Sequence, residues 1–275
     1  MKKFSIMFFL ILVVALFACK QEEAGEKAEG TATTKTPQEL ADEAKKAEEE
    51  KKKKDEEAAA KKAREDALTA LKDKIAEINK KMTGEKAAHD TLGTTGQKKV
   101  EIPTGVTEIR VKDTDLPKVY ASLNYDQDLI DKLNTAIKVL DIKSTNKSSK
   151  TTEIETVNKV LETLIGIDDT TTKILGTHLK DDKLPKIEND KAKIETATKE
   201  LKEFIDSRDK FIKSAEAIIK DASSKTSSSD VKTALNKITG AASGTTDPKT
   251  GEAGYGAAMV KAIEANATAL ENLVK

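Results

Sequence analysis

Few side chains in this chain have the types and spacing that chemistry requires. There is one cysteine, Cys19, and there are two histidines, His89 and His178. A thiol can act as a nucleophile or metal ligand, and an imidazole as a general base. Each histidine, however, stands without a Cys or a second His at ligand spacing, so a structural role is the expectation for both, His89 in a polar loop and His178 near a helix end. Asp168-Asp169 and Asp181-Asp182 are adjacent carboxylate pairs. Adjacency on a helix points two side chains to different faces, so capping of a helix start is the better reading of both pairs. No GxSxG, HExxH, P-loop, CxxC or EF-hand spacing occurs. The expectation is a non-enzyme with no metal, no cofactor and no small-molecule substrate. An enzyme would need acid–base groups brought together from distant segments. Lys275 stands last, and a terminal lysine offers an ammonium and a carboxylate together. Kringle lysine sites recognise that shape, which makes Lys275 a candidate plasminogen contact; a solvated tail is the plainer alternative.

The composition narrows the classes further. Of the 275 residues, 35% are charged and 3% aromatic, with no Trp, three Tyr and six Phe. Such a chain has little with which to line an aromatic pocket or stack bases. Lys+Arg and Asp+Glu are both 48, so no basic field points to nucleic acid. The block Lys51 to Glu57 (KKKKDEE) is cancelled by flanking acids and reads as a solvated face.

The context of Cys19 is specific. Lys2 and Lys3 form a basic start, and Phe4 to Phe17 is apolar or small except for Ser5. At 14 residues the run is short for a membrane span and suits a signal segment. Leu16-Phe17-Ala18-Cys19 resembles a bacterial lipobox, with Leu at −3, a small residue at −1 and Cys at +1. Phe17 at −2 is larger than the strict pattern has, as in the relaxed boxes of spirochaetal lipoproteins. The resemblance implies that residues 1–18 are cleaved and that Cys19 becomes a lipidated first residue. The alternative is an ordinary signal peptide with an incidental Cys. Cleavage leaves 46 basic against 48 acidic side chains. Two or three acyl chains anchor stably where one does so marginally, so the partner this implies is the membrane, through lipid rather than a spanning helix.

Beyond Cys19 the elements that would position any site are helical. Residues 19–36 read as a polar, disordered tether. Thr36-Pro37-Gln38-Glu39 matches a helix start with a capping box. Gln38 to Asp66 carries eleven acids and nine bases in 29 residues, with Leu40 its one large apolar side chain. Acid-to-lysine pairs four apart, such as Asp42–Lys46 and Glu57–Lys61, favour a solvated helical stalk. Leu68, Leu71, Ile75, Ile78 and Met82 then form an a/d seam that packs on the chain's own body or on a partner chain. Thr83-Gly84 reads as its stop, giving one long helix over 37–83. Residues 84–115 read as irregular, with Val100 to Val111 able to form one small hairpin around Pro103-Thr104-Gly105. From 116 to 275, apolar residues recur at three- and four-residue spacing around Leu133, Leu161, Leu201, Leu235 and Ile263. The fold class is all-α, an antiparallel bundle of about five to seven helices. Tyr120, Tyr125, Phe204 and Phe211 lie on its seams and read as core, while Tyr255, among glycines, reads as exposed.

The relaxed lipobox, the tether, the Lys/Glu/Asn-rich composition and the helical body together resemble Borrelia surface lipoproteins. Val119 to Asp126 (VYASLNYD) is similar to a phrase that recurs in the plasmid-encoded helical lipoproteins of that genus. The resemblance implies a lipid-anchored outer-membrane protein at the cell surface that binds a host or vector macromolecule, of the complement-regulator, plasminogen or matrix-protein class. The alternative is a periplasm-facing structural lipoprotein that self-associates through the 68–82 seam.

Overall fold

The computed structural model describes residues 36–239 and 254–275. Cys19, the lipobox Leu16 to Ala18, the tether up to 35 and most of the Gly240–Gly254 loop lie outside the described residues. The chain divides into two units, Met1–Asp55 and Glu56–Lys275. In the first, residues 36–55 are exposed throughout. Helix α1, Pro37–Thr91, begins there with the expected cap. The Thr36 N–H donates to Glu39 Oε2 at 2.7 Å, and the Glu39 N–H donates to Thr36 Oγ1 at 3.4 Å.

Among the described residues the second unit holds the rest of α1, a single helical turn at Gly93–Gly96 and six longer helices. These are α2 (Leu116–Ser122), α3 (Gln127–Val139), α4 (Thr151–Lys173), α5 (Lys191–Ser223), α6 (Ser228–Thr239) and α7 (Tyr255–Leu273). Among the described residues there is no β-strand. Helix α5 is the centre, packed against α3, α6 and α7, while α4 packs against α2, α6 and α7. A single apolar cluster joins them, with Phe204, Phe211, Leu133, Leu161 and Ile174 fully buried. Leu71, Ile75 and Ile78 belong to that cluster. The a/d seam is therefore spent on the chain's own core.

Several boundaries differ from expectation. Helix α1 does not stop at Gly84 but continues to Thr91. Gly84 has open space around its Cα, and the following turns are held by Lys81–Glu85 and Lys86–Asp90 pairs. The 100–111 segment is not a hairpin. It is an irregular strap with turns at Thr104-Gly105 and Thr107-Glu108, whose Val100, Val106, Ile109 and Val111 side chains are buried. Helix α4 runs through Gly166, so Asp168 and Asp169 lie inside it rather than capping a later one. Asp181 and Asp182 sit in an exposed turn, and the cap of α5 is Asp190, which accepts from the Lys193 N–H at 3.1 Å. Tyr255 opens α7 and is half-buried. Its neighbour Gly256 meets the Ile238 carbonyl so closely that an added Cβ would lie 2.2 Å from the oxygen.

Candidate functional site

Among the described residues a concave feature lies in the second unit. It is a cleft of about 860 Å³ walled by the last turns of α1, the strap, α2 and the end of α3. Each wall has a local cause. The last turns of α1 bring in Lys86, His89 and Asp90. His89 is not in a loop but on this helix, buried, with ring centroids 5.8 Å from Tyr120 and 5.1 Å from Tyr125. Tyr125 reaches it because the chain breaks between α2 and α3. Asn124 and Tyr125 both adopt left-handed backbone, at φ 52° and 56°. The Tyr125 N–H bonds back to the Tyr120 carbonyl at 2.8 Å, and Asp126 restarts the helix by accepting from the Leu129 N–H at 3.1 Å. Asn tolerates this conformation; for Tyr it costs about 1–2 kcal/mol. Strain of this kind concentrates at functional sites.

The strap has no strand partner, so side chains serve in its place. Gln127 Oε1 accepts from the Lys98 N–H at 2.6 Å, and the Tyr120 hydroxyl accepts from the Val100 N–H at 3.2 Å. Asn134 Oδ1 accepts from the Glu101 N–H at 3.0 Å. Farther on, the Asn158 amide closes two bonds, accepting from the Arg110 N–H at 2.9 Å and donating to the Glu108 carbonyl at 3.0 Å. Arg110 itself forks onto Glu162 and Glu155.

The cleft floor is apolar, with Val100, Ile102, Leu116, Tyr120, Ile137 and Ile142. Its rim carries both signs of charge. Lys86 pairs with Asp90, Lys138 with Glu101 at 2.9 Å, and Lys143 with Asp141. Hydrogen bonds from these lysines hold the three carboxyls below their ordinary range. Burial pushes the phenols of Tyr120 and Tyr125 above theirs. Two rim charges, Lys99 and Asp113, form no ion pair among the described residues. His89 Nδ1 lies 3.4 Å from the Asp90 carboxylate, and Nε2 is buried without a partner. The arrangement offers an amphipathic cleft with hydrogen-bonding groups at its edge.

Beside it, a smaller cleft of about 390 Å³ shares Lys86, Pro117 and Tyr125. Near it Arg208 is buried and donates to the Ala121 carbonyl at 3.1 Å, leaving Nε without a partner. Burial pushes this guanidinium down, while Asp209, Glu85 and Asp168 act in its favour. Burial also pushes the Glu85 and Asp168 carboxyls up. His178 is buried at the end of the π-helical turn Ile174–His178 that follows α4, with Nε2 at 3.8 Å from Glu271. Lys275 is exposed. Its ammonium lies 3.3 Å from Glu271, and its main-chain oxygen accepts from Lys186 Nζ at 3.0 Å.

Three buried polar residues, two of which pin the strap, carried no expectation from the sequence. Asn134, Asn158 and Arg208 each hold a core register position, four residues after Ile130, Ile154 and Phe204. A polar side chain at an apolar beat of a seam is the signal that could have found them. Among the described residues no helix is long and apolar enough to cross a membrane, and no cluster of three potential metal ligands exists. In comparison with known proteins, no family model, no curated protein and no solved structure matches this chain.

Proposed function

We propose that this protein is a lipid-anchored, non-catalytic binding protein of the outer surface, presenting its helical unit to a host or vector macromolecule. The observation that carries the reading is the setting of Cys19: a basic start, a 14-residue apolar run and Leu16-Phe17-Ala18 directly before the chain's one thiol. The resemblance of that box, and of VYASLNYD, to Borrelia surface lipoproteins supports it. In chain order, a polar tether and an exposed charged helix stand between Cys19 and the folded unit, as a spacer would. The cleft beside His89 gives the unit a surface shaped for binding.

Protease shaving of intact cells tests the location, with a periplasmic protein as lysis control. Cutting of this chain while the control survives is the expected result. Survival until the outer membrane is broken would sink the host-binding role and leave the periplasmic structural reading in its place. Cys19→Ala should release the protein from the membrane fraction; continued retention would defeat the lipid anchor.

A further inference from the structure

Away from the clefts, the second unit holds a buried base among cations. His178 closes the π-helical turn Ile174–His178, a backbone form that is rare in helices and frequent at functional positions. Its imidazole is buried, and Nε2 has no hydrogen-bond partner. The turn packs against α4 and against α7. Lys173 acts on the ring from α4, and Glu271 and Lys275 act on it from the end of α7. Glu271 is the one carboxylate of the three, and it is already shared. Lys173 Nζ lies 3.2 Å from it and Lys275 Nζ 3.3 Å, against 3.8 Å for His178 Nε2. Lys186 brings a further ammonium to the same end, donating to the Lys275 main-chain oxygen at 3.0 Å. A proton on His178 is therefore a third cation on one carboxylate, carried by a ring removed from water.

We propose that the contact between the π-helical turn and the last turns of α7 is a pH-operated joint, closed while His178 is neutral and opened when the imidazole takes up a proton and moves out to water. Burial and Lys173 both disfavour the charged ring, and Glu271 opposes them only in part. A solvated imidazole takes its proton near pH 6.5, so the open form gains on the closed one in mild acid. The rest of the joint is apolar. Leu175 and Leu179 on one side and Leu270 and Val274 on the other are buried. Opening uncovers this surface, which neutral pH keeps hidden. The joint makes no use of Cys19 or of the cleft beside His89, so protease shaving can fail without touching it.

The test is amide hydrogen exchange on the full-length, detergent-solubilised protein at about pH 7.5 and about pH 5.5, on either side of the imidazole's ordinary value, each rate divided by the intrinsic rate at that pH. The Leu179 amide, which closes the turn on the Ile174 carbonyl at 2.9 Å, and the Leu270 and Leu273 amides of α7 report the joint. The amides of Phe204 and Phe211 on α5 report the core. The expected result is a severalfold loss of protection at the joint in acid, with the joint less protected than the core at both pH values. His178→Gln keeps a neutral side chain throughout and should hold the joint's protection constant. The wild-type ring, followed by NMR, should titrate below about 6.5, a readout that needs no variant to fold. Unchanged protection at the joint overturns the proposal. So does a joint as protected as the core, which means that it opens only by global unfolding. A loss that persists in His178→Gln, or a ring titrating at or above about 6.5, overturns it as well.

Discussion

His178 shows how a single buried group leaves a signature in the whole protein's pH response. Burial pushes its imidazole below the ordinary range, Lys173 adds to the shift, and Glu271 opposes it. The unfolded chain then takes up the proton at a higher pH than the fold does. Stability is full above the unfolded value of about 6.5 and falls as the pH drops toward the lower folded value. The urea midpoint should therefore decline as the pH falls below about 6.5, and His178→Gln should flatten that part of the profile. An imidazole titrating at or above 6.5 by NMR would refute the burial account. Glu85 and Asp168, pushed up by burial, act in the opposite sense over a lower window.

At the scale of elements, the helices were legible in the sequence and the connections were not. The Thr36–Glu39 cap and the apolar beats of α3 to α7 follow from local spacing, and the structure has them. Gly84 misled because a glycine near the end of a seam reads as a stop, while here the seam's helix has another two turns of polar contacts to make. With nothing near its Cα, Gly84→Ala should stabilise the protein by about 0.5–1 kcal/mol, read as a rise in the urea midpoint. The strap misled for a different reason. Alternating apolar residues around Pro103-Thr104-Gly105 are what a hairpin would show, but the bonding partners are side chains from helices up to 52 residues away. No local pattern carries that information. Asn158→Ala removes two strap bonds at a fully buried site and should cost about 2 kcal/mol, with faster amide exchange at Arg110. Unchanged exchange there would show that the strap is held by its apolar side chains alone.

Over the whole molecule, one core sets both stability and the options for association. Leu71, Ile75 and Ile78 are buried in the same cluster as Leu133 and Phe204, so the centre of the 68–82 seam is taken up by the chain's own core, with Leu68 and Met82 half-buried at its ends. Leu71→Ala should cost about 2–5 kcal/mol of folding stability. It should leave the sedimentation coefficient of the folded protein unchanged. A loss of dimer instead would return the seam to a self-associating role. The side-chain pins of the strap carry a consequence for the order of events during folding. Gln127, Tyr120, Asn134 and Asn158 sit on α2, α3 and α4, so their grip exists only once those helices are assembled. The strap is therefore expected to close last, after the rate-limiting barrier. Removing a pin such as Asn158 should speed unfolding while leaving the refolding rate nearly unchanged, which makes the strap a latch on the lifetime of the fold rather than a guide to its formation.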